Sequence, residues 1–503
     1  MRLNNFDIRK KLKMSLYTIE NLQKNQNIQN LLHFLSNEAK DCQLHIIEDQ
    51  MHKLLLSFGK DLLNQFLAQK GTGKKEFIKT LNNEIIPFHS IKSRNYLSIF
   101  GDIVIKRAYF WKSGVKGISP LDAELNLPIR IHSYLLDKWV QQRITEEPYQ
   151  EAINSVGNLF HLKITKQISQ KITVESSQDV ENFYKGKSIF PNEGSDIIIQ
   201  ADCKGIIMVP RERPETKLNE EFTRRAKGVS KIGTKKDSVV TADYTINPSK
   251  RTPKNVLDGL MSINSNKKMK KKNTDIEKKK KPINKQIVAT MEGKEKAFLM
   301  LLDRVKARDL TERKPIFILI DGAVSLEKGL MKELCKRNWQ SRVKGCCLDI
   351  VHATEYLWDV STALYGETNP ERVSWVRLAL SKFLNSKAKE VIKEIHNKIE
   401  SYKLTKFQIK RLKRSVTYFE NHKHMMDYKK YLNEGYPIAS GAIEGACNTL
   451  VKDRTERSGM QWTKKGADAV ISLRSVQCNK DWENYWDYYV QSCAERNYGT
   501  MAA

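Results

Sequence analysis

The chain has no paired-cysteine motif. Its eight cysteines (Cys42, Cys203, Cys335, Cys346, Cys347, Cys447, Cys478 and Cys493) are scattered over 503 residues without one CxxC. That excludes a zinc ribbon, whose thiolate set is built from such pairs. A disulfide framework does not suit so large and lysine-rich a chain, so the thiols point to a reducing cytoplasm. Long apolar runs are missing too. Nothing approaches the roughly 18–20 residues of a membrane span, and MRLNNFDIRKKLKMSLYTIE lacks the apolar core of a signal peptide. The expectation is a soluble cytoplasmic protein with no membrane partner. Acid is in short supply: 58 aspartates and glutamates face 87 lysines and arginines, a formal charge of +29. A surplus of that size predicts a polyanion partner, because phosphate neutralisation releases counterions. The length suits two to four domains.

Residues Leu16 to Gln69 read as helices, with apolar residues such as Leu31, Leu35, Leu55, Leu62 and Phe66 at helical spacing. After Gly71–Lys75, the segment RNYLSIFGDIVIKRAYFW predicts a hairpin turning at Gly101–Asp102. From Leu121 to about Tyr184 the pattern is helical again. Within it, EPYQEAINSVGNLFHLKITKQISQKIT has the form of a helix-turn-helix: Pro148 opens the first helix, Ala152 and Val156 face inward, and the second begins near Thr165. Lys166, Gln167, Ser169, Gln170 and Lys171 would then be available to DNA. The competing reading is a helical hairpin of the core.

The centre changes character. SDIIIQAD and KDSVVTADYTI read as strands, and between Lys267 and Lys281 nine lysines stand against two acids. Such a run predicts a loop, suited to non-specific phosphate contact or simply solvated. A helix over Ala297–Val305 precedes PIFILIDG, the most strand-like segment; its following helix is capped by Ser325 and carries Leu326, Leu330 and Leu334 on one stripe. RVKGCCLDIV is a third strand leading to a helix at His352, and Tyr356–Tyr431 is almost wholly helical by pattern. This alternation predicts a mixed α/β class with part of the sheet parallel.

Three acids stand where strands or turns end. Asp202 closes IIIQAD, Asp321 closes IFILID, and Glu444 opens a helix after Ser440–Gly441. Carboxylates converging at the carboxyl edge of such a sheet cannot all stay ionised without a cation. Two Mg²⁺ or Mn²⁺ ions, roughly 3.5–4 Å apart, would activate a water or a 3′-hydroxyl and stabilise the leaving oxygen. Any one strand-end aspartate is more often a cap or turn residue than a ligand.

IQADCKGIIMV, RRAKGVSKIGTKKDSVVTADYTINPSKRTP, LIDGA, LDIVHATEYLW and YPIASGAIEGACNTLVKDRTERSGMQW together resemble bacterial insertion-sequence transposases of the Kra group, over about Arg94–Trp486. These are DDE enzymes with an RNase H-like catalytic domain. The resemblance implies Asp202, Asp321 and Glu444 as the first, second and third acids and metal ligands. The intervals are 119 residues, from 202 to 321, and 123, from 321 to 444; the second implies an all-helical insertion. The layout implied is a helical N-terminal region over 1–93, and a β element with a helical, DNA-binding region over 94–190. An RNase H-like core over 191–355 carries the lysine-rich loop 265–282; the insertion covers 356–435, and 436–503 completes the core. The implied reaction is cleavage at transposon ends and transfer of the 3′-hydroxyl into target double-stranded DNA, by a homo-oligomer at the bacterial nucleoid. The alternatives are a nuclease without strand transfer and a decayed or domesticated, non-catalytic DNA-binding protein.

Asp349 also ends a strand and competes with Asp321 as second acid. Asp321 is favoured because its strand is followed by another before the insertion. Asp349 and His352 match an aspartate-x-x-histidine element and would then be a supporting pair, the carboxylate orienting an imidazole near metal or phosphate; the simpler role for Asp349 is a helix N-cap. Cys203 stands where DGKG-like relatives have glycine, so a turn needing positive φ there would be strained. Lys452, Arg454 and Arg457, near the third acid, are candidates for DNA backbone, with Trp462 and Trp358 as candidates for base stacking, although helical tryptophans are usually core.

Overall fold

The computed structural model describes residues 25–80, 83–187, 192–213, 234–263 and 281–499. Nearly all of the expected lysine-rich loop, and the N-terminal end of the first expected helical stretch, lie outside these. The described residues fall into two compact units: one within 1–144, 149–169 and 486–503, the other within 145–148 and 170–485.

In the first unit the helix Leu44–Lys70 accompanies a three-stranded antiparallel sheet of β1 (Phe77–Lys79), β2 (Ile85–Ser98) and β3 (Gly101–Phe110). The hairpin forms, but it turns at Ile99–Phe100, two residues earlier than its glycine suggested. Ser98 pairs with Gly101, and the Ser98 hydroxyl accepts the Phe100 amide and donates to the Gly101 carbonyl. Gly101 is needed just after the turn, at φ +110. Ile103, Ile105, Leu121 and Leu127 form a small core against Leu63 and Leu67.

The helices Tyr149–Phe160 and Lys166–Ser177 are where the helix-turn-helix was expected, with Ala152, Ile153 and Val156 buried. Leu162 N–H returns to the Gly157 carbonyl at 2.8 Å, so close that a Cβ at Gly157 would sit 2.7 Å from the Leu162 oxygen. The boundary between the units falls inside the second helix. Lys166, Gln167, Gln170 and Lys171 are exposed, but Ser169 is buried and its hydroxyl donates to the Thr165 carbonyl, so it is not available to DNA.

The second unit is built on a five-stranded mixed sheet in the order β6-β5-β4-β7-β8. These are β4 (Asp196–Ile207), β5 (Lys235–Ile246), β6 (Ile283–Thr290), β7 (Ile316–Ile320) and β8 (Val343–Leu348). The pairs β4–β5 and β5–β6 are antiparallel, while β7 runs parallel to β4 and β8 parallel to β7. All five residues of β7 are buried, as a central strand covered on both faces requires. The helix Lys294–Arg308 packs Phe298, Leu301, Leu302 and Val305 into the core and brings Arg304 and Arg308 to the buried Asp243 of β5, at 2.7 and 2.6 Å. The edge strand β6 does not remain open. Ser475 and Asn479, at the end of the helix Lys464–Cys478, accept the amides of Ala289 and Ile287, which removes a template for unwanted pairing.

After β8 come the helices Ile350–Tyr365, Glu371–Leu384, Ala388–Ser401, Lys406–His422 and Tyr428–Glu434. Their inner faces, including Leu357, Phe383, Ile395 and Phe419, share one core with the sheet. The helix Val324–Lys336 differs from expectation at its start. Ser325 lies inside it and gives no cap; its hydroxyl instead meets Lys294 Nζ at 2.5 Å. Among the described residues no helix is long and apolar enough to cross a membrane.

Candidate active site

Asp202 is not at the end of its strand. β4 continues to Ile207, and Asp202 pairs with Val240 of β5. Its other neighbour, β7, stops at Ile320, which is level with Ala201. The next residue on each strand is an aspartate, so Asp202 and Asp321 stand side by side where the parallel pair ends. Cys203 is strand backbone opposite Val239 and is not among the positive-φ residues, so cysteine there carries no strain.

Burial pushes the Asp202 carboxyl above its ordinary range, and the neighbouring Asp321 charge adds to the rise. The Cys447 thiol opposes it by donating to Asp202 Oδ2 at 3.2 Å, and the Cys203 amide donates to Oδ1 at 2.6 Å. Burial likewise lifts the Cys203 thiol to about 11. The carboxylate of Asp321 folds onto its own turn and accepts the Ala323 amide at 3.0 Å.

Glu444 lies on the short helix Gly441–Ala446, three residues before Cys447, and is exposed. Residues three apart in a helix share a face, so the glutamate is one turn from the thiol that touches Asp202. The helix start is tied to the sheet by Asp349. That carboxylate is buried, accepts the Val351 amide at 2.9 Å as N-cap of Ile350–Tyr365, and also accepts the Ser440 amide at 3.3 Å and the Ser440 hydroxyl. The Ile350 amide donates to the Ile438 carbonyl at 2.9 Å beside it. Burial raises the Asp349 pKa, and the Ser440 hydroxyl works against the rise.

Asp349 does not hold His352 by a hydrogen bond. The imidazole is partly exposed and pairs with Glu355, Nδ1 to Oε2 at 3.3 Å, though it lies near enough to favour the charged forms of Asp202 and Asp349. Two expected DNA contacts are corrected by burial. Arg454 is fully buried over the Trp462 ring, 4.9 Å from its centroid, with Met460 Sδ 3.5 Å from Nη1. Trp462 is buried, gives its indole N–H to the Thr455 carbonyl at 3.2 Å, and extends the end of β4 through backbone bonds with Ile207 and Val209. Neither presents a free face to DNA. Trp358 is half-buried with Arg372 over its ring. Lys452 and Arg457, by contrast, are exposed.

Sequence reasoning missed the contributions of Cys447 and Tyr418. The Tyr418 hydroxyl donates to the Asp321 carbonyl at 2.9 Å from 97 residues further along the chain, a separation that leaves no local signature. Among the described residues no group of three or more His, Cys, Asp or Glu side chains is close enough together to hold a metal ion. The neighbouring aspartates are the hard oxygen donors that Mg²⁺ or Mn²⁺ prefer, and the three expected ligands are not gathered into one group. No protein-family model matches this chain, and no curated protein matches it significantly.

Proposed function

We propose that the chain is a DDE-type DNA transposase whose second unit is an RNase H-like catalytic domain. The observation that carries this reading is the adjacency of Asp202 and Asp321 on parallel strands, next to a helix bearing Glu444 that is hydrogen-bonded to the site through Cys447. The mixed sheet supports it, since the central strand β4 pairs with antiparallel β5 on one side and with parallel β7 on the other, and the two aspartates come from that parallel pair. The helical block after β8 occupies the place of an insertion between second and third acids. The choice of Asp321 over Asp349 rests on Asp202: Asp321 directly follows Ile320, the strand partner of Ala201, whereas Asp349 is buried and engaged with Ser440.

In this reading Asp202 and Asp321 would hold Mg²⁺ or Mn²⁺, with Glu444 as the third ligand. Bound metal supplies Lewis-acid stabilisation and an activated water or 3′-hydroxyl. The chain's own residues position and neutralise. The Cys203 amide and Cys447 thiol fix the two oxygens of Asp202, and the Ala323 amide fixes one oxygen of Asp321. Exposed Lys452 and Arg457 hold DNA backbone beside the third acid, and Lys166 and Gln170 are free to do so elsewhere. The +29 charge favours such a partner, and joining two ends calls for a homo-oligomer.

The test incubates the protein with labelled DNA carrying its element's own ends, with and without Mg²⁺ or Mn²⁺. Metal-dependent cleavage at the ends with joined products is expected. Cleavage without joining, indifferent to the terminal sequence, would make it a nuclease. Binding without cleavage would leave a DNA-binding protein.

A further inference from the structure

The turn that carries the second acid is gripped from the helical block. Gly322 follows Asp321 at φ +91, and the Tyr418 hydroxyl on the helix Lys406–His422 donates to the Asp321 carbonyl at 2.9 Å. A Cβ built on Gly322 would lie 2.8 Å from that hydroxyl and 3.3 Å from His422 Nε2, so both side chains close on the same turn. Tyr418 is itself fixed by a face-to-face stack on Tyr356, with ring centroids 3.8 Å apart. His422 is 4% exposed, and its Nδ1 lies 2.7 Å from the Tyr418 carbonyl. A carbonyl oxygen only accepts, so Nδ1 donates to it, and Nε2 is the nitrogen turned toward Gly322. That Nε2 is buried and has no hydrogen-bond partner, a costly state that folds tolerate where a group serves a site.

We propose that Tyr418 and His422 are positioning residues for the second acid, so that the helical block forms part of the active site. Tyr418 fixes the backbone oxygen of Asp321, and the His422 ring closes on Gly322 from the same helix. The positioning role rests on the proposed function; the grip itself does not. Its test therefore has two arms. Hydrogen–deuterium exchange is followed in full-length parent, Tyr418→Phe, His422→Leu, His422→Gln and the exposed control Lys410→Ala, and end-cleavage kinetics are measured on the same proteins. Loss of one hydrogen bond of ordinary strength should speed exchange in peptides covering 316–326 by about tenfold. Peptides from 406–412 should be unchanged, and Lys410→Ala should match the parent. Gln at 422, whose side-chain amide can still donate to the Tyr418 carbonyl, should restore protection that Leu does not. In the second arm kcat should fall about tenfold in Tyr418→Phe and His422→Leu with KM for DNA held. Unchanged exchange at 316–326, or faster exchange along the whole helix Lys406–His422, would overturn the grip. Faster exchange at the turn with kcat unchanged would overturn positioning. A parent that cleaves no DNA would count against the proposed function, while the exchange arm still decides the grip.

Discussion

The buried carboxylate of Asp349 accepts both the amide and the hydroxyl of Ser440, 91 residues ahead of it. That one group caps the first helix after β8 and fastens the turn from which the Glu444 helix starts. Ser440→Ala should therefore cost roughly 1–3 kcal/mol, the penalty for leaving a buried acceptor short of a donor. The removed hydroxyl favours the ionised form of Asp349, so the loss in urea titrations should be larger at pH 8 than at pH 5. Equal loss at both would mean the carboxylate is not the partner that matters.

Asp202 gives a pH prediction of opposite sense. Burial and the Asp321 charge raise its folded pKa above the ordinary 3.8. The folded state thus holds that proton more tightly than the unfolded chain. Its stabilising contribution is full below about 3.8 and is lost as pH rises through the folded value. At neutral pH two carboxylates repel, and Asp202→Asn should raise Tm in metal-free buffer. The gain should shrink as the pH is lowered toward 4. A variant less stable than the parent at pH 7.5 would contradict the assigned repulsion.

Much of the second unit was legible because apolar strands announce themselves: IIIQA, VVTADYTI, IFILI and KGCCL all became strands. β6 did not stand out, since INKQ is polar and only IVAT reads as core, and a lysine tract precedes it. The hairpin turn was misplaced because glycine marked the residue after the turn, at φ +110, rather than the turn itself. Asp202 read as a strand end, whereas it is the neighbouring β7 that ends there. Which side of a short segment faces inward is a tertiary fact, so Arg454, on a short helix, and Trp462, beside the end of β4, were candidates for DNA although they pack on each other. Cys447 and Tyr418 reach the aspartates from far along the chain, beyond any local pattern.

Gly322 is required by two constraints at once. Its φ is +91, and a Cβ would sit 2.7 Å from Leu348 Cδ1 as well as near Tyr418. Gly322→Ala should destabilise by roughly 2–4 kcal/mol through backbone strain and overpacking together. Chemical denaturation measures it; a cost under about 1 kcal/mol would mean that the turn is not held as described.

The basic residues near Glu444 divide by burial. Arg454→Ala should destabilise the fold, by roughly 2–4 kcal/mol for a fully buried large side chain, and leave the salt dependence of DNA binding unchanged in the remaining folded protein. Lys452→Ala and Arg457→Ala should leave Tm unchanged and each lower the slope of log K against log salt by about 1. A reduced slope for Arg454→Ala alone would place the DNA elsewhere.

The most direct test of the central claim compares Asp202→Asn, Asp321→Asn, Glu444→Gln and Asp349→Asn with the parent in metal-dependent end cleavage, with DNA affinity measured in parallel. The account predicts that the first three retain binding and lose cleavage by several orders of magnitude, as expected when a metal ligand is removed. Asp349→Asn should lose stability and only part of the activity. Full activity in Asp321→Asn, with cleavage abolished in a stably folded Asp349→Asn, would contradict it.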